Sequence, residues 1–140
     1  MGQQQLLLLV LGVVIVGIAV VAGITAFSEG KTKADRDAAA AEAMGLVSSV
    51  QAWKLKPTFT GGGADGTTSF ANVSLRALGI APTSGNDVYA TPSGCYKLVS
   101  GATAQIQIWK EGSNCSGSGN QLATVTISDA TPSGLSWAYN

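Results

Sequence analysis

The sequence predicts an α+β protein in which one long N-terminal α-helix packs against a small antiparallel β-sheet head. Residues 1–55 contain no proline and join an apolar run to an alanine-rich run, which is typical of one continuous helix. Residues 56–140 are rich in glycine, serine and threonine and contain short segments of alternating apolar and polar residues, which indicate strands with one buried face. The chain therefore divides into a helix, residues 1–55, and a β-rich globular head, residues 56–140.

The first part of the helix, residues 6–27, carries no charge, because all eight basic and eight acidic residues lie from Glu29 onward. About 20 apolar residues are enough to cross a bilayer. The run is apolar on every side, so lipid or other protein must surround it. We therefore expect a segment that spans the membrane or forms the core of a filament. A cleaved signal peptide is the alternative, but no Lys or Arg precedes the run, which also exceeds the usual apolar region of about 7–15 residues.

The second part of the helix, residues 28–55, is predicted to be amphipathic, with Pro57 ending it. Alanine, the best helix former, is abundant here, so the helix is expected to continue beyond the membrane. One near-helical series of apolar residues predicts the face that packs on the head: Ala40, Met44, Val47, Val50 and Leu55.

The head is expected to hold four strands and one short helix. Alternation predicts strands at 95–100, 103–110, 121–128 and 135–139, and a short turn joins the first two as a hairpin. Ser69 is expected to cap a helix over 70–78 that Gly79 ends.

The two cysteines, Cys95 and Cys115, both lie in the head. If the head is exported, an even cysteine count favours one disulfide bond. Two free buried thiols in a cytoplasmic protein are the alternative. The apolar segment favours the disulfide, because it gives the head a route out of the reducing compartment.

Charge and residue usage argue against several classes of function. The formal net charge is zero and no block of like charge occurs, so no nucleic-acid interface is expected. Histidine, the commonest general base and metal ligand, is absent from the sequence. We expect no enzyme, no catalytic or metal-binding residues and no cofactor. Asp65 resembles part of a calcium loop, but the other ligands are missing, so a plain turn is favoured.

Two sequons make Asn72 and Asn114 candidate glycosylation sites. The larger aromatic residues are expected to pack in the core or in subunit contacts rather than to form a sugar-binding platform. They are Trp53, Tyr89, Tyr96, Trp109, Trp137 and Tyr139.

Residues 1–54 resemble the type IV pilin family, which includes bacterial pilins, archaeal pilins and type II secretion pseudopilins. In that family a prepilin peptidase removes a short basic leader, and the mature chain, often N-methylated, begins with Phe or Met before an apolar helix. Met1 fits such a mature start. The family usually has glutamate at the fifth mature position, where this chain has Gln5, which accepts a hydrogen bond but brings no charge.

The resemblance implies an assembly role for the residues at the start and along the apolar helix. These are Met1, Gln5, Leu6, Leu9, Gly12, Val14, Gly17 and Gly23. It also implies a helical homo-oligomer as the assembled state, with the prepilin peptidase and the pilus assembly machinery as partners. The subunit would lie in the cytoplasmic (inner) membrane before assembly and in an extracellular filament on the cell surface afterwards.

Three functions are therefore weighed. The leading hypothesis is a major pilin, the repeating structural subunit of a type IV pilus-like filament that serves adhesion or motility. The second is a type II secretion pseudopilin. The third, from a different class, is a single-pass membrane-anchored binding module whose head captures a ligand without forming a fibre.

Overall fold

The computed structural model of the chain describes residues 2–110, 112, 114–116 and 118–140. Helix α1 spans Gly2–Leu55 and ends just before Pro57, as predicted. Two compact units divide the chain: the first ends at Asp35 and the second is Arg36–Asn140.

The first unit, up to Asp35, consists of the N-terminal part of α1. Its side chains are exposed throughout residues 2–35, including all the apolar ones. Where the structure describes the chain, α1 is the one helix whose length and composition would allow it to cross a membrane. The helix runs without a break through Gly12, Gly17 and Gly23.

The second unit contains a five-stranded antiparallel sheet in which each strand pairs with the next along the chain. The strands are β1 (Val88–Thr91), β2 (Gly94–Val99), β3 (Ala104–Trp109), β4 (Gln121–Ile127) and β5 (Leu135–Tyr139). Strands β2–β5 lie where alternation predicted four strands. Strand β1 was missed, because its four residues alternate too briefly to stand out. Short 3₁₀ turns occur at Thr58–Thr60, Ser118–Asn120 and Pro132–Gly134.

The core of the second unit forms where one face of α1 meets one face of the sheet, which confirms the predicted α+β fold. From the helix it takes Ala39, Ala43, Leu46, Val47, Val50 and Trp53. From the sheet it takes Tyr96, Leu98, Ile106, Ile108, Val125 and Ile127.

The predicted packing face of the helix was only partly right. Val47 and Val50 are buried, but Met44 is 46% exposed and Leu55 is 70% exposed. The buried face instead includes Ala39, Ala43 and Leu46, which lie about one helical turn apart. Alanine occurs on every side of this helix, so the sequence alone could not show which side meets the sheet.

The predicted helix over residues 70–78 is wrong. Phe70, Val73 and Leu75 are all buried, and a helix would turn one of them away from the core. The segment forms turns instead.

Only the end of the predicted helix matches the structure. Ser74, not Ser69, caps the last turn, its Oγ accepting a hydrogen bond from the Ala77 amide at 3.2 Å. Gly79 ends this turn with a left-handed φ of +78°, as predicted.

A disulfide joins Cys95 to Cys115 across a sequence separation of 20 residues, which confirms the pairing. It packs with Trp109 and Val88 in a second small cluster. It ties strand β2 to the loop that precedes β4. A cross-link closing a loop of this size stabilises the folded chain by about 3 kcal/mol in the chain-entropy model.

Candidate assembly surfaces

The predicted assembly residues of the first unit lie on two sides of the helix. At about 100° per residue, Gln5, Leu9, Gly12 and Gly23 share one side. Leu6, Val14 and Gly17 lie on another. All seven are exposed, and Met1 lies outside the described residues. Surfaces on several sides suit a helix that neighbours surround rather than one that pairs with a single partner.

The glycines of α1 have no packing reason within the chain. A Cβ placed at Gly12, Gly17, Gly23, Gly30 or Gly45 would meet no atom within 4 Å. Each glycine inside a helix costs about 1 kcal/mol relative to alanine. Glycine lets another backbone approach closely. Because nothing within the chain needs that approach, the cost is explained best by contact with another molecule.

A second surface lies on the outer side of α1 in the second unit, opposite the sheet. Its members are uncharged and, apart from Leu55 at its end, small, and they recur at spacings that alternate between three and four residues. This small-residue face consists of Ala38, Ala41, Gly45, Ser48, Ala52 and Leu55, all of them exposed. The Ser48 hydroxyl donates to the Gly45 carbonyl at 2.8 Å, so it has a partner within the helix. Such spacing is that of a helix–helix seam.

A buried ammonium group fastens the end of α1 to the loop that follows it. Lys54 is only 8% exposed. Its Nζ donates to the Gly63 carbonyl at 2.6 Å, to the Ser69 carbonyl at 2.8 Å and to Asp65 Oδ1 at 2.9 Å. Asp65 also accepts from the amide and hydroxyl of Thr67, which forms the predicted turn. The hydrogen bond from Lys54, followed by those from Thr67, holds the pKa of Asp65 well below its ordinary value.

A carboxylate on α1 holds the β1–β2 hairpin. Glu42 Oε2 accepts from the Thr91 hydroxyl at 2.6 Å and from the buried Tyr96 hydroxyl at 2.8 Å. Burial alone raises the pKa of Glu42, but hydrogen bonds from Thr91, Tyr96 and Ser93 together outweigh it and lower the pKa. Burial, and then the neighbouring Glu42, raise the pKa of Tyr96. The sequence alone did not predict the contacts of Lys54 or of Glu42, because their partners lie in other segments of the chain.

The remaining candidate residues lie apart from these surfaces. Asn72 and Asn114 are exposed in turns, as a glycosylated residue must be. Trp53, Tyr96 and Trp109 are buried, in keeping with the packing expected of the aromatic residues, whereas Tyr139 is exposed. No group of three or more residues able to hold a metal ion occurs among those described.

Comparison with models of known protein families, with curated proteins and with solved structures returned no match to this chain.

Proposed function

We propose that this chain is the repeating structural subunit of an extracellular filament of the type IV pilus kind, which polymerises through α1. Before assembly the apolar residues 6–27 lie in the cytoplasmic membrane. On assembly they leave the lipid for a core made of the same helix from sister subunits, and the heads tile the outside.

The exposed apolar helix is the starting point of this proposal. Residues 6–27 find no partner within the described chain, so they need lipid or other protein around them. Lipid alone would satisfy this segment equally well. A membrane anchor and a filament subunit are therefore not distinguished by it.

The small-residue face carries the proposal, because it favours a filament over a plain anchor. It lies on α1 beyond the apolar segment, where a membrane anchor would present charged or polar residues to water. Instead, all six residues of the small-residue face are uncharged. Gly45 on this face weakens the helix without any use inside the chain. A neighbouring helix that packs closely against the face accounts for both features.

The finer features of the proposal follow the type IV pilin family. They are processing by a prepilin peptidase, methylation of the mature N-terminus and a dedicated assembly machinery. A pseudopilin of a type II secretion system would use the same helix in a shorter fibre. The exported, disulfide-bonded head is compatible with both.

A charge placed on the small-residue face tests the proposal. Ala41→Glu should leave the free energy of unfolding within about 0.5 kcal/mol of that of the parent chain, because Ala41 is exposed and glutamate forms helix well. It should abolish fibres in material sheared from expressing cells and viewed by negative-stain electron microscopy.

Ala77→Glu is the matched control, since Ala77 is also exposed but lies in a turn of the head and is not part of this face. It should form normal fibres. Normal fibres from Ala41→Glu would contradict the assembly role of the face.

A further inference from the structure

A cleft of about 300 Å³ opens in the second unit beside residues 36–40 of α1, where this unit begins. Ala39 and Ala40 of the helix, Ala123 of β4 and the aromatic residues Trp137 and Tyr139 of β5 line it. The Trp137 and Tyr139 rings lie nearly parallel, with centroids 5.8 Å apart. Ligand sites span about 300–1,000 Å³, so this cleft has room for one ring or one side chain rather than an extended ligand.

A single aromatic ring projects from the other end of α1 in the same unit. Phe59 is 88% exposed, at the centre of the Thr58–Thr60 turn. Its loop is held firmly: the Trp53 indole donates to the Gly61 carbonyl at 3.0 Å, and the Gly63 amide donates to the Trp53 carbonyl at 3.0 Å. A side chain at Gly63 would run into the Trp53 ring. The chain thus holds a large apolar side chain in water on a rigid support, which is how binding anchors are preorganised.

The charges around the ring and the cleft are complementary. Arg36 and Asp37 stand at the cleft, and neither has an ion-pair partner among the described residues. Lys56 lies three residues before Phe59, is exposed and is likewise unpaired where the structure describes the chain. Asp65, on the same loop, is already paired with Lys54. Lys56 can therefore meet Asp37 when the ring enters the cleft.

We propose that Phe59 of one copy inserts into the Trp137–Tyr139 cleft of the next copy. This inference rests on the proposed filament and adds a specific contact between heads. Ala40 and Leu55 are about 22 Å apart along the helix, so ring and cleft sit at opposite ends of the docked part of α1. Such a contact is heterologous: each copy offers both a ring and a cleft, and repetition gives a polar chain of subunits rather than a closed dimer.

Cysteine cross-linking in assembled fibres tests this contact. In the full chain, Thr58→Cys, an exposed position next to Phe59, is combined with Ala40→Cys, and sheared fibres are treated with a short bifunctional maleimide. The cysteines of the described chain form the disulfide, so only the introduced thiols react. We expect a ladder of dimers, trimers and higher species on denaturing gels. The control combines Thr58→Cys with Ala77→Cys and should give monomers.

Two outcomes would overturn the inference while leaving the proposed function intact. One is fibres without a ladder, and the other is an equal ladder from the control. Absence of fibres from the unsubstituted chain would instead count against the proposed function itself.

If the cysteine variant fails to assemble, an exchange of charges between Asp37 and Lys56 tests the proposed contact instead. Asp37→Lys should lower the yield of sheared fibre several-fold by placing two cations together. Adding Lys56→Asp should restore the yield. A double variant no better than Asp37→Lys alone would overturn the inference.

Discussion

Val14→Asp is expected to abolish fibres while leaving the head folded. Val14 is an exposed position in the middle of the apolar part of α1. A single aspartate in a transmembrane segment costs about 3 kcal/mol, which the many remaining apolar residues offset, so the chain should still reach the membrane. In a fibre core every copy would bring the same buried charge with no cation beside it, and that cost repeats with each subunit.

Val14→Ile is the matched control, because it keeps the position apolar and β-branched. Both variants should appear equally in the membrane fraction, and both heads should give the parent chain's thermal unfolding curve. Electron microscopy of sheared material should then show fibres from Val14→Ile only. Fibres of normal number and length from Val14→Asp would mean that residues 6–27 are not buried in a protein core.

Lys54→Met is expected to cause the largest loss of head stability among single substitutions of polar residues. Methionine keeps the apolar stem but removes three hydrogen bonds, and it leaves the Gly63 and Ser69 carbonyls without their charged donor. Each buried polar group that loses its partner costs about 1–3 kcal/mol. We therefore expect the free energy of unfolding to fall by about 2–4 kcal/mol, measured by urea denaturation of the solubilised full-length chain.

Lys56→Met provides the control two residues away. Lys56 is exposed and makes no ion pair with a described residue, so its loss should change stability by less than about 0.5 kcal/mol. Equal effects of the two substitutions would show that the Lys54 network does not hold the loop to the helix.

The fold was predictable where the signal is local. An uncharged apolar run and an alanine-rich run without proline both indicate a helix over any short window, and alternation in β2–β5 indicates strands in the same way. The predictions failed where contacts between distant parts of the chain determine the local structure. Strand β1 forms because β2 pairs with it, and residues 70–78 form turns because Phe70, Val73 and Leu75 all reach the core.

The candidate surfaces, too, could be predicted from the sequence only in part. The glycines of α1 are visible in the sequence, but only the structure shows that the chain itself leaves the space beside them empty. The alternating spacing from Ala38 to Leu55 is also present in the sequence. Without the position of the sheet, however, the sequence does not show whether these residues form the exposed side or the buried side of an alanine-rich helix. The Lys54 network joins residues 9–15 positions apart through an irregular loop, for which no periodicity exists.

The central claim is that α1 leaves the membrane to pack against its own copies. Its most direct test is electron microscopy of material sheared from cells that express the full chain, with mass spectrometry of the same material. The account predicts uniform thin fibres whose main protein is this chain, carrying the disulfide between Cys95 and Cys115. A chain recovered only from the membrane fraction, as detergent-solubilised monomers and with no fibre on any cell, would contradict it.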